Sequence, residues 1–214
     1  MINHLRHPEP PPSLARRKAY DGCDVREQLY GDGRGKCYLC EARVELGGFE
    51  IDHLEVQHED PDNRRYDWRN LYCICRSCNL RRRKNTPPGG WLRPEDGPEG
   101  RLIQEIKSDE KATLFFCSRS ADDREATNTA GELQRLHAEP SAKTHDLRDA
   151  IVTRLQWVQQ AEKDLLEAEM SPDSENPDAV VRRREWLRTL VSRDAPFTAL
   201  IRSRVSHRYR DLLD

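Results

Sequence analysis

Apolar positions along this chain of 214 residues fall into two regimes. From Arg124 onward they recur at helical intervals. Leu147, Ile151, Leu155, Val158 and Leu165 make one stripe, interrupted after Glu169 by Ser171-Pro172. Pro177-Asp178 opens another helix carrying Val181, Trp186, Leu187 and Leu190, and Asp194-Ala195-Pro196 caps a last one with Phe197, Leu200, Ile201 and Val205. Upstream the pattern is shorter-ranged. Residues 1–13, with Pro8, Pro10, Pro11 and Pro12, read as extended; residues 14–20 read as a short basic helix. Asp24, with Glu27 placed as in a capping box, opens a helix through Tyr30 whose stripe is Val25 and Leu29. Gly47-Gly48 predicts a hairpin over residues 43–54, with Phe49, Ile51 and His53 alternating on the returning strand. Residues 55–67 are polar and read as a loop, His58 lying exposed within it. Residues 70–75 form a short buried strand with Leu71, Cys73 and Cys75 on one face, and residues 77–85 begin a helix. Pro87-Pro88-Gly89-Gly90 closes that module, residues 89–100 read as a linker, and residues 102–117 include a strand pair.

Charge alters this picture in one respect. Charged residues are 35% of the chain, yet the formal net charge is −2. No global field therefore draws in nucleic acid, and attraction must come from a local patch. Such polarity leaves a modest core, for one or two domains. No apolar run is long enough to span a bilayer, and no secretory segment opens the chain. The seven cysteines are odd in number and include two Cys-x-x-Cys pairs, which suits zinc in a reducing cytoplasm better than a disulfide framework.

Those pairs carry the candidate chemistry. Cys37-x-x-Cys40 and Cys75-x-x-Cys78 offer four thiolates from two tight turns, the donor set of a closed, structural Zn²⁺ site. Cys73-x-Cys75 competes by spacing, but Cys75-x-x-Cys78 suits a knuckle better, so Cys73 reads as a strand residue. Cys23 and Cys117 read as ordinary thiols. A closed site leaves reactivity to the residues between the knuckles. His53 can take a proton from water near neutral pH, although a lone histidine is more often structural. Asp52 and Asn79 offer one carboxylate and one amide oxygen, which favour a hard cation such as Mg²⁺ or Mn²⁺. The plainer readings are a strand-end charge for Asp52 and a helix cap for Asn79. Arg76, Arg81, Arg82, Arg83 and Lys84 form a basic cluster suited to phosphate contact, or to a solvated helix face.

At these residues the sequence resembles the HNH (ββα-metal) nucleases, and in particular the branch with Asn after the second Cys-x-x-Cys. Further words resemble the PtuB-like HNH proteins of Septu-type and retron-associated anti-phage systems: His7-Pro8-Glu9-Pro10, the Cys37–Glu41 knuckle, Ile51-Asp52-His53, Asp67–Leu71, Cys75–Asn79, Asn128-Thr129-Ala130 and Asp194–Leu200. The last histidine of the family's name motif is Asn79 here, which weakens the case for a transition metal in the active site. The resemblance implies an α+β fold: a small zinc-stapled ββα-metal nuclease module embedded in a mostly helical chain. Residues 1–90 would hold the N-terminal arm and the module, and residues 91–214 a partner-binding helical region. It implies His53 as general base, Asp52 and Asn79 as ligands of catalytic Mg²⁺ or Mn²⁺, and Asn70 as a structural residue holding the inter-strand loop. It further implies phosphodiester hydrolysis leaving a 5′-phosphate and a 3′-hydroxyl, with DNA favoured and RNA, including tRNA, open. An ABC/SMC-like (PtuA-like) ATPase partner follows, and in a retron setting a reverse transcriptase with its RNA and DNA. The alternative is a non-catalytic zinc module that docks nucleic acid or the ATPase.

Overall fold

The computed structural model describes residues 1–55, 64–108, 113–170 and 177–213. The chain divides into two units, one made of Met1–Ile103 with Phe116–Glu139, the other of Gln104–Phe115 with Pro140–Asp214. His58 and Ser171-Pro172 lie outside the described residues.

The first unit is built on helices α1 (Pro12–Ala15) and α2 (Cys23–Asp32), strands β1 (Glu50–His53) and β2 (Leu71–Ile74), and helix α3 (Arg76–Arg81). Helices α4 (Pro98–Arg101) and α5 (Arg124–Ala138) complete it. β1 and β2 are antiparallel, in the register Glu50 to Ile74, Ile51 to Cys73, Asp52 to Tyr72 and His53 to Leu71. All four residues of β2 are buried, and Leu71 and Cys73 join Leu14, Val25, Leu29, Phe49 and Trp68 in one apolar cluster. α3 starts directly after β2, which completes a ββα unit.

Three local expectations change. The helix expected over residues 14–20 is one turn, because Arg17 takes a left-handed φ of 51° just past its end. Asp24 is not the N-cap of α2, a place Gly22 takes; its carboxylate accepts from Val25 N and from Ser13 N and Oγ, and so ties α1 to α2. Those bonds, the Ser13 hydroxyl first, hold its carboxyl below the usual range. The hairpin through Gly47-Gly48 does not form, since β1 takes β2 as its partner. Residues 36–44 close on themselves, through a Lys36–Arg43 bridge and bonds from Cys37 N to Ala42 O and Val44 N to Gly35 O. The sequence that turns about Cys37 and Cys40 thus makes a knuckle and leaves β1 free for the more distant strand.

The stretch from Gly89 to Gly97 is irregular, yet it buries Trp91 and Leu92, and Leu92 N donates to Thr129 Oγ1 on α5. β3 (Leu102–Ser108) and β4 (Thr113–Ser118) form a second two-stranded sheet, as expected. In the second unit, α6 (Ala142–Met170) buries Ile151, Leu155, Val158 and Leu165 from the expected stripe. α7 (Pro177–Val191) runs antiparallel to it, tied by Arg154 Nη2 to Leu190 O and by Arg184 to Glu169. Phe197 adopts a left-handed φ of 57° before the short helix α8 (Thr198–Arg202), and a final 3₁₀ turn over His207–Leu212 buries Tyr209 and Leu212. No helix of the described residues is long and apolar enough to cross a membrane.

Candidate zinc centre and active site

Cys37 and Cys40 lie on the first knuckle, which Glu41 turns with a left-handed φ of 59°. Cys75 is the N-cap of α3, and its sulfur accepts from Cys78 N. A bond from Tyr38 N to Cys73 O joins the first knuckle to β2. The four sulfurs all lie within 4.8 Å of one another, with Cys40 and Cys75 at 3.9 Å. A tetrahedral zinc with Zn–S bonds of about 2.3 Å separates its sulfurs by roughly 3.8 Å, so the set fits the ion. Hydrogen bonds from Cys37, Cys40 and Cys78 hold the Cys75 thiol below its usual range, while bonds among the sulfurs push Cys40 and Cys78 up. Cys73 stays in the core, where burial pushes its thiol up.

Alternation along β1 sets Glu50 and Asp52 on one face, and α3 brings Asn79 over it. Asp52 is buried. The Tyr38 hydroxyl donates to Oδ2 at 2.7 Å, and Arg82 Nε lies 2.6 Å from the same atom. Burial, and then the Asp52 charge, push the Tyr38 hydroxyl up, so it remains a donor. Arg82 also donates to the His53 carbonyl. Asn79 donates through Nδ2 to Glu50 Oε2 at 2.6 Å and accepts at Oδ1 from Lys84 Nζ at 2.5 Å. The same ammonium lies 3.9 Å from Asp52 Oδ1. Two oxygens from separate elements therefore converge on one positive charge; Asp52 and Asn79 could supply two of the oxygen ligands of a hard cation, with water or phosphate supplying the rest.

His53 is half-buried, its ring edge-on to Tyr20 at 5.1 Å. Its Nε2 lies 3.1 Å from Arg65 O. A carbonyl only accepts, so Nε2 carries the proton and Nδ1 keeps a lone pair. Burial holds the imidazole below its ordinary pKa, which favours this neutral form. Asn70 is buried and clamps the inter-strand segment: Oδ1 accepts from Glu55 N, and Nδ2 donates to Glu55 O and Arg64 O.

The basic run divides. Arg76 is exposed. Arg81 donates to Ser77 O and Leu136 O. Arg82, expected at phosphate, is instead committed to Asp52 inside the fold. Arg83 faces solvent beside Glu132, and Lys84 bridges Asn79 and Asp52. Sequence reasoning missed Tyr38 and Glu50. Glu50 had a signal, two residues before Asp52 on a strand and therefore on its face; Tyr38 had none, because its reach to Asp52 depends on how the knuckle docks.

Fold and site together define a zinc-knuckle ββα module with an Asp-His strand end. Residues 37–85 match the family model of the HNH endonuclease, which supports a nuclease-type function and implies binding to nucleic acid. No curated protein and no solved structure matches the chain.

Proposed function

We propose that the protein is a metal-dependent HNH endonuclease that hydrolyses phosphodiester bonds. The observation that carries this reading is the convergence of Asp52 Oδ1 and Asn79 Oδ1 on one cationic position in the module that also holds a neutral His53. Asp52 and Asn79 would hold Mg²⁺ or Mn²⁺, which would supply charge stabilisation to the phosphate and the departing oxygen. His53 accepts a proton from the attacking water at Nδ1, with Arg65 O fixing the tautomer through Nε2. Arg82 and Tyr38 both meet Asp52 Oδ2 and so fix the direction of the carboxylate. Arg76 and Arg83 are exposed members of the basic run, Arg83 beside Glu132, and face solvent where the phosphate backbone would lie. Cys37, Cys40, Cys75 and Cys78 would hold Zn²⁺, which would tie the knuckles together and take no part in the reaction.

The finer reading rests on the resemblance to PtuB-like proteins: a cytoplasmic anti-phage effector acting on DNA in preference to RNA. An ABC/SMC-like ATPase would license it, in a Septu or a retron setting. Exposed Trp157 and Trp186 in the helical region support partner binding there.

The test is incubation of the purified protein, alone and with an ATPase encoded beside it, with plasmid and with tRNA in Mg²⁺, Mn²⁺ or EDTA. Cleavage should require the divalent ion. His53→Ala should keep zinc and fold while losing about 100- to 10,000-fold in rate. Absence of cleavage under every condition would favour the non-catalytic zinc module.

A further inference from the structure

An asparagine amide has two ends of nearly equal size and opposite chemistry. Only its oxygen can ligate a hard cation; its NH₂ would present hydrogens instead. Asn79 is therefore useful as a ligand only if something decides which end faces Asp52. Two neighbours do so here. Glu50 Oε2 accepts from Nδ2 at 2.6 Å, and Lys84 Nζ donates to Oδ1 at 2.5 Å. A carboxylate only accepts and an ammonium only donates, so the pair allows one orientation of the amide.

The two neighbours are not equivalent. The Lys84 ammonium sits between Asn79 Oδ1 and Asp52 Oδ1, the position a divalent ion would take, so it must leave when such an ion enters. Lys84 is more than half exposed and can leave. Glu50 stays, because it is the first residue of β1, paired with Ile74 in the sheet. We infer that Glu50 is a positioning residue: it holds the Asn79 amide by its nitrogen end, so that Oδ1 keeps facing the cation site once Lys84 is displaced. The inference rests on the hydrolase reading of Asp52 and Asn79. It gives Glu50 no contact with substrate or with the ion.

The test uses zinc-loaded full-length protein without nucleic acid, titrated with Mn²⁺ and followed by electron paramagnetic resonance. Partners that orient a metal ligand contribute about 10- to 100-fold in affinity, so Glu50→Ala should weaken Mn²⁺ binding at least about tenfold. Glu50→Gln keeps an acceptor oxygen without charge and should bind near the wild-type level. Glu50→Ala combined with Asn79→Ala should bind no more weakly than Asn79→Ala alone, because Glu50 acts through Asn79. A readout independent of the metal accompanies this: the Asn79 side-chain ¹⁵NH₂ resonance, assigned by its loss in Asn79→Ala. It should be shifted and protected from exchange in wild type, and should join the exposed amides in Glu50→Ala. Wild-type Mn²⁺ binding by Glu50→Ala, or losses that multiply in the double variant, would overturn the inference and leave the hydrolase reading standing. No Mn²⁺ binding by wild type would overturn both.

Discussion

Arg82 and Arg83 are neighbours in one basic run, and the fold gives them opposite work. Arg82 is buried against a buried Asp52, whereas the Arg83 side chain is 65% exposed. Removing one partner of a buried pair leaves the other charge unpaired, so Arg82→Ala should cost about 3–5 kcal/mol. Arg83→Ala should stay within about 0.5 kcal/mol, as surface changes do. Urea midpoints of the two variants check this, and equal midpoints would mean that Asp52 finds another partner. His4 gives a second prediction at this scale. Burial first, then the Arg6 and Lys36 charges, lower its pKa from 6.5 to about 3. In the unfolded chain it takes up a proton below about pH 6.5, whereas the folded protein resists until about pH 3. Its effect on stability is therefore nil above that window and unfavourable within it, growing as pH falls to roughly 5 kcal/mol at most. His4→Asn, which does not titrate, should flatten the fall in stability between pH 7 and pH 4. Parallel curves for the two proteins would show that His4 does not bear the load.

Elements whose contacts are local were legible in the sequence. The long stripe of α6, the Cys75–Cys78 knuckle at the head of α3 and the buried β2 strand follow from spacing alone. β1 was legible as a strand, but its partner was not, because the 17 residues between His53 and Leu71 carry no periodic signal. Pairing across such a gap is settled by the docked knuckles. For the same reason, Asp52, His53 and Asn79 could be named from their motif, while the contacts that orient them could not. Glu50, Tyr38 and Lys84 acquire roles only when β1, the first knuckle and the end of α3 meet. The zinc set permits an element-scale prediction. Cys40→Ser should lose zinc and with it most of the folded ββα unit, since structural zinc contributes on the order of 10 kcal/mol. Cys73→Ser, at a strand position facing the core, should keep one zinc per chain. Elemental analysis with far-ultraviolet circular dichroism decides, and unchanged zinc in Cys40→Ser would remove Cys40 from the ligand set.

At the scale of the whole molecule, the chain divides into two units and the four-cysteine cluster belongs to one of them. Calorimetry should therefore resolve two transitions. A zinc chelator should lower the one that belongs to the ββα unit by tens of degrees and leave the helical one, with α6 and α7, where it was. Loss of both transitions on chelation would mean that the helical unit has no stability of its own. Chelation should also leave the exposed Trp157 and Trp186 free to report on that unit by fluorescence.

The Asn70 clamp has a consequence for engineering the chain. One buried amide grips both Glu55 and Arg64, so the site reads the ends of the intervening segment and not its length. Eight residues, 56–63, lie between those ends. Doubling a loop costs only about 0.6 kcal/mol in closure entropy. An eight-residue Gly/Ser insertion there should leave zinc content and melting nearly unchanged, and in an Asn70→Ala background the same insertion should become disruptive. A reporter peptide can thus enter between β1 and β2 without retuning either strand.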